Sequence, residues 1–170
     1  MGIWIRALCR RPLGDRFGVQ PLKGALDRLD FASMAESQGL DDEVGDAAAE
    51  ALRIEGDDDP NLLLIYCRPG EEHFIRVESW QGSAAAEEIA ELLESLEDAE
   101  GAGAERVRAH LGSTVQSVAF ELKASDLTGM GLPIAFHAAM WLAEQGDGLV
   151  EYEDDWFDPS VSYADAILGA

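Results

Sequence analysis

The sequence predicts an α+β fold with a ferredoxin-like split β-α-β core. The sheet is expected to be antiparallel or mixed with helices on one face, and to carry an extra N-terminal helix and a C-terminal helix-strand extension. Three observations predict this. Residues 3–10 alternate between Ile3, Ile5, Ala7, Cys9 and Trp4, Arg6, Leu8, Arg10, as a strand does. The apolar run 62–67 is joined to the alternating run 73–80 by Arg68-Pro69-Gly70-Glu71, whose central Pro-Gly suits a type II turn. Helical segments at 83–97 and 131–145 precede strand-like runs at 115–122 and 149–152. At 170 residues, a single acidic domain over 1–170 is expected.

The elements follow in order. Pro12 and Gly14 end the first strand, and Pro21 opens a helix with Leu22, Leu26, Leu29 and Met34 as its apolar stripe, Gly39 closing it or a short successor. Residues 41–55 read as a second helix whose acidic start suits the positive helix N-terminus. Gly56 and Asp57-Asp58-Asp59-Pro60 break it. After the hairpin, Ser83 caps a helix with Ala86, Ile89, Ala90, Leu93 and Leu96 on one face, and Glu87, Glu88, Glu91 and Glu94 on the rest. Glu105 to Leu111 adds a helical turn before the strand at 115–122. The helix after Gly129-Met130-Gly131-Leu132-Pro133 is apolar nearly all round, which predicts burial on more than one side.

Charge is the strongest functional signal. The chain holds 34 acidic residues against 12 Lys and Arg, a net charge of -22. The first 28 residues run the other way, with six basic residues against two acidic ones. Such a balance repels nucleic acid and anionic membrane and attracts basic partners. Arg6, Arg10 or Arg11 are expected to face carboxylates across the sheet. Four Trp and six Phe within patterned apolar runs indicate a folded protein rather than a disordered one. The N-terminus lacks the pattern of a signal peptide, and no segment approaches a membrane span. Cys9 and Cys67 sit in strand-like runs and are expected to be buried thiols, which together with the missing leader points to the cytoplasm.

The chemistry-bearing residues are few. His73, His110 and His137 have no second histidine at metal spacing, there is no Cys-x-x-Cys pair, and the acidic clusters do not match a calcium loop. No metal and no cofactor is therefore expected. Gly-x-Ser-x-Gly is absent, and Gly129-Met130-Gly131 lacks the spacing of a phosphate loop, so no catalytic residue is assigned.

Two readings follow. The first is a non-enzymatic, cytoplasmic protein-binding module, of the kind an immunity protein provides, that neutralises a basic partner or toxin. Its contact residues are expected at Glu151, Glu153, Asp154, Asp155, Trp156 and Asp158, where aromatic anchors interleave with carboxylates. The helix-Gly-Asp-Gly-strand-Asp-Asp-Trp-Phe-Asp ending is similar to that of bacterial α+β proteins, some tied to such systems. The alternative is a small-molecule-binding protein or enzyme with a groove beside the 131–145 helix, lined by His73, His137 and Trp141.

Overall fold

Strand β1 (Ile3–Cys9) forms where the sequence alternates, and it lies inside the sheet rather than at its edge. In the computed structural model, which describes residues 2–70 and 72–169, six helices and seven strands follow one another along the chain. After β1 come α1 (Val19–Leu26), α2 (Phe31–Ser37) and α3 (Asp42–Ala51). Then come β2 (Arg53–Gly56), β3 (Leu62–Tyr66), β4 (Ile75–Gln81), α4 (Gly82–Ser95) and α5 (Ala102–Gly112). The chain closes with β5 (Gln116–Leu122), α6 (Gly131–Gln145), β6 (Gly148–Tyr152) and β7 (Asp155–Phe157). All pairings are antiparallel, in the order β2-β3-β4-β5-β1-β6-β7. No helix among the described residues is long and apolar enough to cross a membrane.

The α+β class holds, and the hairpin forms as expected, with Leu62 opposite Glu78 and Ile65 opposite Ile75. Gly70 takes φ +69°, the left-handed place its Pro-Gly turn needs. Glu71, the fourth residue of that turn, lies outside the described residues.

The strand order departs from a ferredoxin-like core. There, strands linked by a helix run parallel with one strand between them. Here β1 and β3 run in opposite directions, and β4 and β5 are antiparallel neighbours. Two elements reverse the count. Strand β2 occupies the end of the segment read as one helix over 41–55, and α5 is a full helix rather than one added turn. Each sends the chain once more across the molecule. A split β-α-β unit occurs elsewhere, at β5-α6-β6, with β1 lying between its two strands.

Helices on one face is also corrected, because they cover both. Ile5, Ala7 and Cys9 face α6, which packs on β1, β5 and β6 and is covered in turn by α1. Leu8 points the other way, to Leu92 and Leu96 at the end of α4, Val107 and Leu111 of α5, Leu149 and Trp156. Because β5 is enclosed from both sides, six of its seven residues are buried. Double enclosure also explains why α6 carries so little polar surface.

Candidate functional site

On the α4 side of the sheet, β1 presents Trp4, Arg6 and Leu8 in sequence. Leu8 is sealed in the smaller core, whereas Trp4 and Arg6 reach toward solvent. Arg6 lies directly opposite Glu151 of β6, and its Nη1 donates to Glu151 Oε2 at 2.9 Å. Its Nε donates to Glu88 Oε1, and the other oxygen of Glu88 accepts from the Ser117 hydroxyl at 2.9 Å. Both carboxylate side chains are 7% exposed and Arg6 is 25% exposed. Burial disfavours the Arg6 charge, yet Glu151 and Glu88 outweigh it and hold the guanidinium above its ordinary value. Burial pushes the Glu88 carboxyl up, and Ser117 and Arg6 only partly restore it.

Above this network lies a groove of about 280 Å³, lined by Trp4, Arg6, Trp80, Ala84, Glu87, Glu88 and Glu91. The two indoles come from β1 and β4, separated by β5. Trp80 Nε1 donates to Glu78 Oε2 at 3.2 Å, which ties down its ring. Both tryptophans are half-buried, and Ala84, at the start of α4, keeps the cleft open. Glu87 and Glu91 sit one helical turn apart on the exposed rim. Neither takes part in an ion pair among the described residues.

The six residues expected at the C-terminal end have split fates. Glu151, Trp156 and Asp158 are buried, at 5%, 1% and 5% exposure. Glu151 holds Arg6, and Trp156 fills the core between the sheet and α4 and α5, so it offers no exposed anchor. Asp158 pairs with Arg106 and accepts from the Ser160 N–H and hydroxyl; burial opposes its charge, but these bonds hold its carboxyl below the usual range. Glu153 and Asp154 form the two-residue turn between β6 and β7, both with positive φ as a type I′ hairpin demands, and are exposed. Asp155 is half-buried beside them.

The three residues of the alternative site are not brought together in one groove. His73 Nε2 bonds Asp126 at 2.8 Å, where the buried carboxylate also accepts from Arg68 and the Lys123 N–H. His137 lies further along α6, its Nδ1 on the Pro133 carbonyl at 2.9 Å and its ring beside Phe136 and Tyr163. Trp141 packs against the larger core. A cavity of about 360 Å³ does open at the C-terminal end of α6, but Arg10, Arg106 and His110 line it, and each is engaged. Arg10 pairs with Asp147, Arg106 with Asp158, and His110 donates from Nε2 to the Leu8 carbonyl. Burial lowers the His110 value, which keeps that ring neutral. Cys9 and Cys67 are buried free thiols.

Sequence reasoning missed Glu88, which it placed on the polar face of its helix. The buried stripe of α4 is Ala85, Glu88, Leu92, turned by one position from the expected one. The available signal was Arg6, an inward-facing cation in a strand that needs a buried partner.

Together these features define an acidic α+β protein whose antiparallel sheet lies between helices and whose acid-rimmed groove has two tryptophan walls. No protein-family model, no curated protein and no solved structure matches the chain.

Proposed function

We propose that this protein is a non-enzymatic binding module for a basic protein partner, an immunity-type inhibitor being the fitting example. The supporting observation is how the charges are used. Arg6, Arg10, Arg53, Arg68, Arg76, Arg106 and Lys23 are each spent on an internal ion pair. Among the described residues most carboxylates take no part in these pairs, so the exterior is strongly anionic, and long-range attraction would speed the arrival of a cationic surface. The exposed carboxylates of α4 around the tryptophan groove form the main contact in this reading. Glu153, Asp154 and Asp155 form a second contact at the β6–β7 turn. Two buried reduced thiols fit action in the cytoplasm.

The test is affinity capture from the source cell at low salt and at about 0.5 M salt, where the screening length falls to a few ångströms. The wild type is compared with Glu87→Lys/Glu91→Lys. One basic protein held by the wild type at high salt and lost by the variant supports the proposal. A broad set of basic proteins, all washed off by salt, would mean the charge acts without a specific partner.

A further inference from the structure

We infer that the groove between Trp4 and Trp80 is a seat for an arginine side chain presented by the partner. This deepens the preceding proposal and rests on it. The groove's volume of about 280 Å³ lies just below the range of small-molecule pockets, which suits one long side chain rather than a metabolite. Its walls are two half-buried indoles, the best faces for a cation. Its lining carries three carboxylates against one guanidinium, so the local charge favours a cation.

The three carboxylates have different roles. Glu88 is fully engaged by Arg6 and Ser117 and serves as a fixed floor. Glu87 and Glu91, both exposed, stand at i and i+4 on α4, so their carboxylates can bracket one guanidinium from the rim. A planar guanidinium can stack on an indole while donating along its edge to two carboxylates, whereas an ammonium is more strongly hydrated and acts as a point charge. The seat therefore prefers arginine to lysine. Trp80 is pre-oriented by its bond to Glu78, so little ordering is required on binding. Arg6 is no competitor for the seat, since it is held below by Glu88 and Glu151.

The probe is a glycine-serine peptide with three arginines, beside lysine and citrulline versions. Binding is followed by NMR on the indole N–H signals of the four tryptophans in low salt. The arginine peptide should move the Trp4 and Trp80 signals and leave those of Trp141 and the buried Trp156 in place. Lysine should bind more weakly and citrulline not measurably. Glu87→Gln/Glu91→Gln, at exposed positions that leave the fold intact, should weaken the arginine peptide about tenfold. Asp42→Asn/Glu43→Gln/Asp46→Asn, which removes more charge from exposed positions of α3 on the opposite face of the sheet, should change affinity less than about twofold. Equal weakening by both variants, or peptide-induced shifts away from Trp4 and Trp80, overturns the seat while leaving a basic-partner module standing. Failure of both cationic peptides to bind at low salt overturns the seat and the module together.

Discussion

Arg6→Met removes the guanidinium that two buried carboxylates share. Removing one member of a buried ion pair costs about 3–5 kcal/mol, because the remaining charge is left without compensation. The side chains of Glu88 and Glu151 are each 7% exposed, but that of Arg6 is 25% exposed and some water reaches the site. The expected loss is therefore at the lower end, about 3 kcal/mol. For a chain of this size each kcal/mol moves the melting temperature by roughly 2–4 °C, so a drop of about 6–12 °C is expected at pH 7. Burial already holds the Glu88 carboxyl above its ordinary value, and without Arg6 it must rise further. A carboxyl raised in the folded state favours folding most below its unfolded value, and that benefit is lost as pH rises through the folded value. The deficit of the variant should thus shrink as the pH is lowered from 7 toward about 5, close to the ordinary carboxylate range. Adding Glu88→Gln, which keeps a partner for Ser117, should recover about 1 kcal/mol. Thermal melts at pH 7 and urea melts at both pH values, on the wild type and both variants, measure all of this. A deficit below about 1 kcal/mol at pH 7, or one unchanged at pH 5, would refute the reasoning.

Gly45 of α3 lies against the Phe31 carbonyl of α2, and an added methyl would overlap that oxygen. Gly45→Ala should therefore cost about 2 kcal/mol in a urea melt, by forcing the two helices apart. Burial pushes Cys9 up to about 12 and Cys67 to about 11, so neither should react with a disulfide reagent at pH 8 until the protein unfolds. Because both thiols are raised in the folded state, their contribution to stability holds below the unfolded value and falls away as pH climbs past about 9, which alkaline melts would detect. Asp154 sits at φ 67° in the β6–β7 turn, and Asp154→Gly should raise stability by up to about 1 kcal/mol while keeping its N–H bond to Glu151; a loss in the melt would show that the aspartate side chain matters to the turn. Self-repulsion among the surface carboxylates predicts greater stability with added salt, checked by melts in low salt and at about 0.5 M.

The parts of the fold legible in the sequence are those where one pattern dominates. Residues 62–66 are apolar without interruption and 75–81 alternate, with Pro69-Gly70 between them, so the hairpin was plain. Strand β2, the four residues Arg53–Gly56, was hidden because Ala51, Leu52 and Glu55 continue a helical spacing begun at Val44 and Ala48. Only pairing with β3 turns those four residues into a strand. The same local ambiguity hid most of α5, whose start at Ala102 lies in a stretch of Gly and Ala. Both omissions change the direction in which the next strand enters, so a local error became a topological one. At the site, Trp4 and Trp80 are far apart in sequence and read singly as sheet-face residues, and only the register across β5 sets them over one groove. Glu88 looks like its neighbours Glu87 and Glu91 until Arg6 and Ser117 are seen to enclose it. The exchange between Arg6 and a carboxylate across the sheet was legible, because a basic strand in an acidic chain has few other ways to be neutralised.

The central claim is that exposed carboxylates around the tryptophan groove bring in and hold a basic protein. The most direct measurement is the association rate of the captured partner across a range of ionic strength, for the wild type and Glu87→Lys/Glu91→Lys, by stopped-flow fluorescence. Electrostatic steering raises such rates by about 10- to 1000-fold, so the wild-type rate should fall steeply with salt, and the variant should start low and depend on salt far less. Rates that are equal for the two proteins and insensitive to salt would contradict the account.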